Sequence, residues 1–97
     1  MTSKQRAYLR SLANNLEPIF QIGKSAVTPE MTTAVADALE ARELVKLSVL
    51  KNCFDEPKDI ADVLAGRTKS EVVQVVGRKI TLYKESKNKK RIELPKA

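Results

Sequence analysis

The segment spanning residues 19–29 limits the fold more than any other, because it joins a strand to a helix through one short turn. Its first four residues form an apolar run typical of a short strand, and Gly23 and Lys24 follow as a turn. Thr28 is a suitable helix N-cap, and Pro29 fits the first helical position. The free N–H groups and the positive dipole end of this helix would then lie just beyond Lys24. The sequence therefore predicts a site that attracts phosphate.

The letters Gly23-Lys24-Ser25 resemble part of a nucleotide-binding P-loop, but their spacing argues against one. A P-loop needs a second glycine five residues before Gly23, and this chain has Pro18 there. Two interpretations stay open. In the first, the Gly-x-x-small turn that ends at Ala26 meets one phosphate of a nucleic-acid backbone, as in KH-type domains. In the second, Gly23 only permits a positive φ at a structural turn, and Lys24 lies in solvent.

The length of 97 residues and the apolar content of 42% predict one compact domain. No apolar run reaches the roughly 18 residues that span a membrane, and the basic start lacks an apolar signal segment, so we expect a cytoplasmic protein. Cys53 is the only cysteine and histidine is absent, which argues against disulfide frameworks, zinc clusters and histidine acid–base chemistry. We expect no cofactor, metal, membrane partner or small-molecule substrate.

Hydrophobic periodicity predicts the element order α-β-α-β-α-β-β. The predicted helices cover residues 3–15, 29–42 and 57–66, and the predicted strands cover residues 19–22, 44–50, 72–76 and 80–83. We expect an α/β fold with a four-stranded mixed sheet, in which the first three strands pair in parallel. The fourth strand would form an antiparallel hairpin with the third. The valine-rich third strand would be covered on both faces.

The net charge of +6 comes entirely from the end of the chain. Residues 1–77 carry ten basic and ten acidic side chains, whereas residues 78–97 carry eight basic and two acidic ones. Ser, Asn and Lys dominate from Lys84 onward, so we expect a domain over residues 1–84 and a basic tail over residues 85–97 that is mobile or weakly docked. A block of positive charge at the end of a chain fits a polyanion partner, an acidic membrane surface or a solvated tail. Its composition does not choose among these three.

The predicted topology gathers basic residues from distant parts of the chain. Loops after parallel strands leave from one edge of the sheet, where open α/β sheets usually bind their ligands. The basic residues of these loops, which we call the basic edge, are Lys24, Lys51, Arg78 and Lys79. This gathering predicts nucleic-acid binding that depends mainly on phosphate contacts and on the shape of a folded RNA.

Helix one is expected to contribute to the same surface. If it runs back along strand one, Lys4 and Arg6 lie near the basic edge, with Arg10 one turn further on. Tyr8 and Tyr83 are candidates for stacking on bases, although both also fit the rim of the core.

Several blocks of the chain together resemble one known family. They read QRAYLR at residues 5–10, IGK at 22–24, ALEARELVK at 38–46, VVQVVG at 72–77 and LYK at 82–84. The chain resembles the bacterial YhbY-type proteins, the stand-alone form of the CRM RNA-binding domain, over about residues 3–84. The resemblance implies a fold similar to the C-terminal domain of bacterial translation initiation factor three. It also implies a non-catalytic RNA-binding protein that assists assembly of the large ribosomal subunit.

The signature turn of this family is Gly-x-x-Gly, which corresponds to residues 23–26 here. The chain departs from the signature at Ala26, which resists a positive φ. We therefore expect either a differently shaped turn or a less close approach of the phosphate. The full set of predicted RNA-binding residues is Lys4, Arg6, Arg10, Gly23, Lys24, Ser25, Lys51, Arg78, Lys79 and Lys84.

Two other functions compete with RNA binding. One is a protein-interaction module that docks ribosomal proteins through acidic helix faces. Its residues would be Glu30, Asp37, Glu40, Asp55, Glu56, Asp59 and Asp62. The other is a small enzyme that uses Cys53, Lys24 or the pair Asp59 and Asp62, although those two aspartates also suit the start of a helix. The sequence does not determine the oligomeric state.

Overall fold

The computed structural model describes residues 1–96 and has the predicted element order. The helices are α1 (Ser3–Ala13), α2 (Pro29–Arg42) and α3 (Pro57–Thr68), and the strands are β1 (Phe20–Ile22), β2 (Leu44–Val49), β3 (Glu71–Val76) and β4 (Lys79–Tyr83). They form one small α/β domain around a four-stranded mixed sheet, which confirms the predicted fold class. Within residues 1–96, no helix combines the length and the apolar character that crossing a membrane requires.

The helix boundaries follow local capping chemistry. The Thr28 side chain accepts the Met31 N–H at 3.1 Å, and Pro29 occupies the start of α2, as predicted. Helix α3 continues past Gly66, so the prediction that this glycine ends the helix is wrong. The helix ends instead at Lys69, whose φ of 57° gives the left-handed cap and whose N–H donates to the Ala65 carbonyl.

The strands are arranged in the order β1-β2-β4-β3. Strand β1 pairs in parallel with β2, and β4 pairs in antiparallel with both β2 and β3. The predicted parallel pairing is confirmed for β1 and β2 and is wrong for β2 and β3, because β4 folds back from its hairpin and inserts between them. The common direction of β1, β2 and β3 survives, since β2 and β3 both oppose β4.

Strand β3 packs against the cores on both faces of the sheet, as predicted, but it is an edge strand and is only partly buried. Val73 is its one buried residue, and Val76 is 62% exposed. The register shifts between Val72 and Gln74, as in a β-bulge, so the alternation of side chains is broken there. Val72 and Val75 consequently pack on one side of the sheet, whereas Val73 packs on the other. The strand buried on both faces is β4, where residues 80–83 are all buried.

The sheet carries a core on each face. Helices α2 and α3 cover one face, where Leu39, Leu47 and Leu64 belong to one buried cluster. Helix α1 covers the other face, where Leu9 packs in a cluster with Tyr83. Because Tyr83 is only 5% exposed, the core role is confirmed for it and the alternative of base stacking is not.

Helix α1 crosses the strands and does not run back along β1 as expected. Near its start, the Arg6 guanidinium donates to the Val72 carbonyl, at the beginning of β3. At its end, the Lys46 ammonium donates to the Ala13 carbonyl at 3.2 Å, on the β1 side of the sheet. This path lets Leu9 and the rest of the apolar stripe of α1 cover the second face of the sheet.

The basic tail is docked on the domain through hydrogen bonds to two carboxylates. The Ser86 N–H donates to Glu43 Oε2 at 2.8 Å, and the Ile92 N–H donates to Glu43 Oε1 at 2.7 Å. The Ser86 hydroxyl donates to Glu40 Oε2 at 2.6 Å. Ile92 and Leu94 also pack beside the α1 core. Ala97, the last residue of the predicted tail, lies outside the described residues, and the domain boundary at residue 84 stays a prediction.

The charges of both carboxylates are stabilised by this docking. Burial alone would raise the pKa of Glu43, but hydrogen bonds from three backbone N–H groups and the charge of Lys90 lower it below its ordinary value of 4.5. The hydroxyl of Ser86, followed by the N–H groups of Lys87 and Asn88, lowers the pKa of Glu40. In each case the folded state favours the ionised carboxylate.

Candidate nucleic-acid interface

The loops that carry the basic edge touch one another through their backbones. The Leu50 N–H donates to the Ile22 carbonyl at 2.8 Å, which joins the loops after β1 and β2. The Val49 N–H donates to the Arg78 carbonyl at 2.7 Å, which joins β2 to the turn before β4. The Arg78 guanidinium returns a hydrogen bond to the Leu50 carbonyl at 3.3 Å. Lys24, Lys51 and Arg78 therefore lie at one end of the sheet.

Lys79 begins β4 at the same end and pairs in register with Ser48 and Val76. Its ammonium donates to the Ser48 hydroxyl at 3.4 Å. All four residues of the basic edge are exposed. The correct strand order still gathers them, because β1, β2 and β3 end together and β4 starts there. Four cations on one surface can contact several phosphates of a nucleic-acid backbone at once.

The turn at residues 23–26 presents Lys24 and Ser25 at its exposed tip. The Ala26 N–H donates to the Gly23 carbonyl at 2.9 Å, which closes the turn. Ala26 adopts a φ of 52°, so the fourth position keeps the left-handed conformation without a glycine. Gly23 does not have a positive φ, so the interpretation that it serves only to permit one is wrong.

The start of α2 offers fewer free donors than predicted. Pro29 has no N–H, and Thr28 accepts the N–H of Met31. Exposed carboxylates also stand at this end of the molecule, with Glu30 in the first turn of α2 and Asp59 in the first turn of α3. The positive character of this end therefore comes mainly from the side chains of the basic edge, with a smaller part from the helix dipole.

The other predicted site residues lie elsewhere. Arg6 is bound to the Val72 carbonyl, and Val72 lies near the end of the sheet opposite the basic edge. Lys4 and Arg10 are exposed on the same helix, which covers a face of the sheet. The Lys84 N–H donates to the Glu43 carbonyl at 2.9 Å, also at the opposite end. The expectation that helix one extends the basic edge is therefore wrong, and Lys84 belongs to the docked tail.

Sequence reasoning missed Phe54, which is 87% exposed in the loop between β2 and α3. This loop also carries Lys51, and its Asn52 Oδ1 lies 3.5 Å from the position that a β-carbon on Gly23 would occupy. The sequence signal for the exposure of Phe54 was a lone phenylalanine in a polar loop that directly follows a strand. Of the two tyrosines that were considered for stacking, Tyr8 is the accessible one, and its side chain is 40% exposed on α1.

The residues proposed for the two competing functions either have structural roles or do not form a common site. Glu40 accepts hydrogen bonds from the tail at Ser86, Lys87 and Asn88, so it is not available as part of an acidic docking face. Cys53 is 7% exposed and lies within the β2–α3 loop. Among residues 1–96, no group of three or more Cys, Asp or Glu side chains is arranged to hold a metal ion.

Comparison with known proteins identifies the family. The model of the CRS1/YhbY (CRM) domain matches residues 1–84. This chain belongs to the CRS1/YhbY (CRM) domain family. It is 52% identical over 95 residues to the Bacillus subtilis protein named "Probable RNA-binding protein YqeI", covering 98% of this chain and 99% of that one. It is 29% identical over 96 residues to a Haemophilus influenzae protein named "RNA-binding protein", covering 99% and 96% of the two chains.

The fold of this CRM domain also matches a solved structure. The solution structure of a hypothetical Staphylococcus aureus protein, described as a candidate RNA binder, superposes with a TM-score of 0.82 at 53% identity, covering 98% of this chain and 99% of that one. The family assignment and the names of these relatives support RNA as the partner of the CRM domain, and they favour a binding role over a catalytic one.

Proposed function

We propose that this CRM domain binds structured ribosomal RNA in the cytoplasm as a non-catalytic assembly factor of the large ribosomal subunit. The observation that carries the RNA contact is the joining of three loops, through Leu50, Ile22 and Arg78, into one surface with four exposed cations. The ribosomal part of the proposal depends on the family resemblance, because bacterial members of the family associate with precursors of the large subunit.

The binding mode follows from the chemistry of this surface. The basic edge offers ammonium and guanidinium groups that suit phosphate oxygens, and its polar side chains give little base readout. The turn at Lys24 and Ser25 adds an exposed tip that can enter a groove or approach a backbone phosphate. We therefore propose recognition of the shape and phosphate spacing of a folded RNA, with weak dependence on base sequence.

Sedimentation of cell extract on a sucrose gradient tests the ribosomal role. The account predicts that the protein migrates with precursors of the large subunit, and that a Lys24→Glu variant of equal stability shifts toward the top of the gradient. A Lys4→Glu variant carries the same charge change outside the basic edge and serves as the control. Migration at the top of the gradient for the unchanged protein would contradict the ribosomal role. Association that survives ribonuclease digestion would instead favour docking on a protein.

A further inference from the structure

We infer that Phe54 is a stacking platform for an unpaired nucleotide, so that the RNA bound by this domain has a bulged or looped-out base next to a helix. This inference rests on the proposed RNA binding and names a feature of the RNA that phosphate contacts alone do not require. It follows from the position of one aromatic ring relative to the basic edge.

The exposure of Phe54 is a property of an ordered loop. The preceding residue, Cys53, is 7% exposed and belongs to the core on the α2 and α3 side, and its N–H donates to the Leu50 carbonyl at 3.1 Å. Cys53 therefore holds the loop against the protein while the next side chain, 87% exposed, extends into solvent. A ring presented by an anchored loop loses little conformational freedom when a base stacks on it.

Phe54 lies between basic and acidic side chains, because Lys51 precedes it in the same loop and the exposed acids Asp55 and Glu56 follow it directly. Asn52 of this loop lies beside Gly23 in the turn that carries Lys24. Two further exposed apolar side chains stand at this end of the sheet, Val76 at 62% and Leu50 at 37%. An exposed ring in the loop that carries Lys51, beside the turn that carries Lys24, fits the pairing of base stacking with phosphate contacts that single-stranded nucleic-acid sites use.

Stacking requires a base whose face is accessible. In a continuous A-form helix the base faces are covered by neighbouring pairs, whereas a bulge or loop can extrude one base onto an aromatic ring. The geometry therefore favours RNA in which the basic edge holds the backbone of a helix and Phe54 receives one unpaired nucleotide beside it. Stacking on an aromatic side chain typically changes affinity by about 5- to 100-fold per base.

The test uses the full chain and two RNA hairpins that are identical except for a single bulged 2-aminopurine in one of them. The unchanged protein should bind the bulged hairpin more tightly and quench the 2-aminopurine fluorescence. Phe54→Ala should weaken binding of the bulged hairpin by about 5- to 100-fold, leave the paired hairpin unaffected and keep the slope of affinity against salt concentration. Phe54→Tyr should retain the preference, and Phe54→Leu, which is apolar but not aromatic, should lose it.

The outcomes separate this inference from the proposed function. If the unchanged protein binds both hairpins with a steep salt dependence and Phe54→Ala binds the bulged one equally well, the stacking role is refuted and the RNA-binding role stands. If Phe54→Leu retains the preference, the contact is apolar and the stacking role is also refuted. If the unchanged protein binds neither hairpin, both proposals are overturned. Because Phe54 is exposed, thermal unfolding of each variant should match that of the unchanged protein.

Discussion

The Glu43 carboxylate accepts the backbone N–H of Ser86 at 2.8 Å, although the two residues are separated by 43 positions in the chain. Glu43 is completely buried, and its second oxygen accepts the N–H groups of Arg91 and Ile92. One side chain at the end of α2 thus satisfies three backbone donors of a segment without regular secondary structure. The docked tail in turn covers part of the core beneath α1, where Ile92 packs.

Replacing Glu43 by Gln should destabilise the domain. The amide has one acceptor oxygen, lacks the negative charge and presents an NH₂ group to backbone donors, so charge-assisted hydrogen bonds are lost. We expect the free energy of unfolding in urea to fall by about 2 kcal/mol. Asp37→Asn, an exposed acid on the same helix, is the matched control and should change it by less than about 0.5 kcal/mol. Equal effects of the two variants would contradict the role of Glu43.

Docking of the tail should also depend on pH. The folded-state pKa values of Glu43 and Glu40 both lie below the ordinary 4.5, so their contribution to stability is fully present above about pH 4.5. That contribution is lost as the pH falls through the lowered values, because protonation then opposes the folded state. The protection factors of the Ser86 and Ile92 amides against hydrogen exchange should fall in this acid range and stay high near neutrality. Protection factors that stay unchanged as the pH is lowered below 4.5, until the whole domain unfolds, would refute this prediction.

Local patterns in the sequence were sufficient to predict the helices and strands but not which strands lie side by side in the sheet. Apolar spacing predicts α2 over its observed span, and Gly77 predicts the hairpin. Periodicity carries no information about which strand lies beside β2, so the insertion of β4 was not predictable from it. The bulge between Val72 and Gln74 was not predictable either, because it sends Val73 and Val75, which simple alternation would place on one face, to different cores.

The candidate site was predicted where it depends on strand direction and missed where it depends on distant contacts. Lys24, Lys51, Arg78 and Lys79 meet because three strands end together, which the helical connections already imply. The binding of Arg6 to Val72 depends on how α1 crosses the sheet. The docking of the tail depends on acids more than 40 residues away, which composition alone does not reveal.

Replacing Ala26 by Gly should stabilise the domain. Ala26 has a φ of 52°, and a left-handed conformation costs an L-residue about 1–2 kcal/mol, of which the entropy of glycine in the unfolded chain offsets about half. We expect the free energy of unfolding to rise by about 0.5–1 kcal/mol. Ser25→Gly, in the same turn without a positive φ, should give no increase. A loss of stability for the Ala26 variant would contradict this prediction and would show that packing of the Ala26 methyl group against the core outweighs the cost of the left-handed conformation.

Arg6 and Lys24 should have opposite roles. Arg6→Ala removes a hydrogen bond from a charged donor to the Val72 carbonyl, so the free energy of unfolding should fall by about 1–2 kcal/mol while the salt slope of RNA binding stays unchanged. Lys24→Ala should leave stability within about 0.5 kcal/mol and lower the salt slope by about 0.7–0.9. Urea unfolding and filter binding on the same two variants check both halves. A reduced salt slope for Arg6→Ala would contradict this prediction, because it would show that helix α1 contacts the RNA.

The most direct test of the basic edge is the dependence of RNA affinity on salt concentration for two variants of equal net charge. In one, Lys24, Lys51, Arg78 and Lys79 are replaced by alanine. In the other, four exposed basic residues outside this surface are replaced by alanine, namely Arg42, Arg67, Lys89 and Lys96. The account predicts that the slope of log affinity against log salt falls by about 3 in the first variant and by less than about 1 in the second. Equal losses in the two variants would contradict it, because binding would then depend on overall charge and not on this surface.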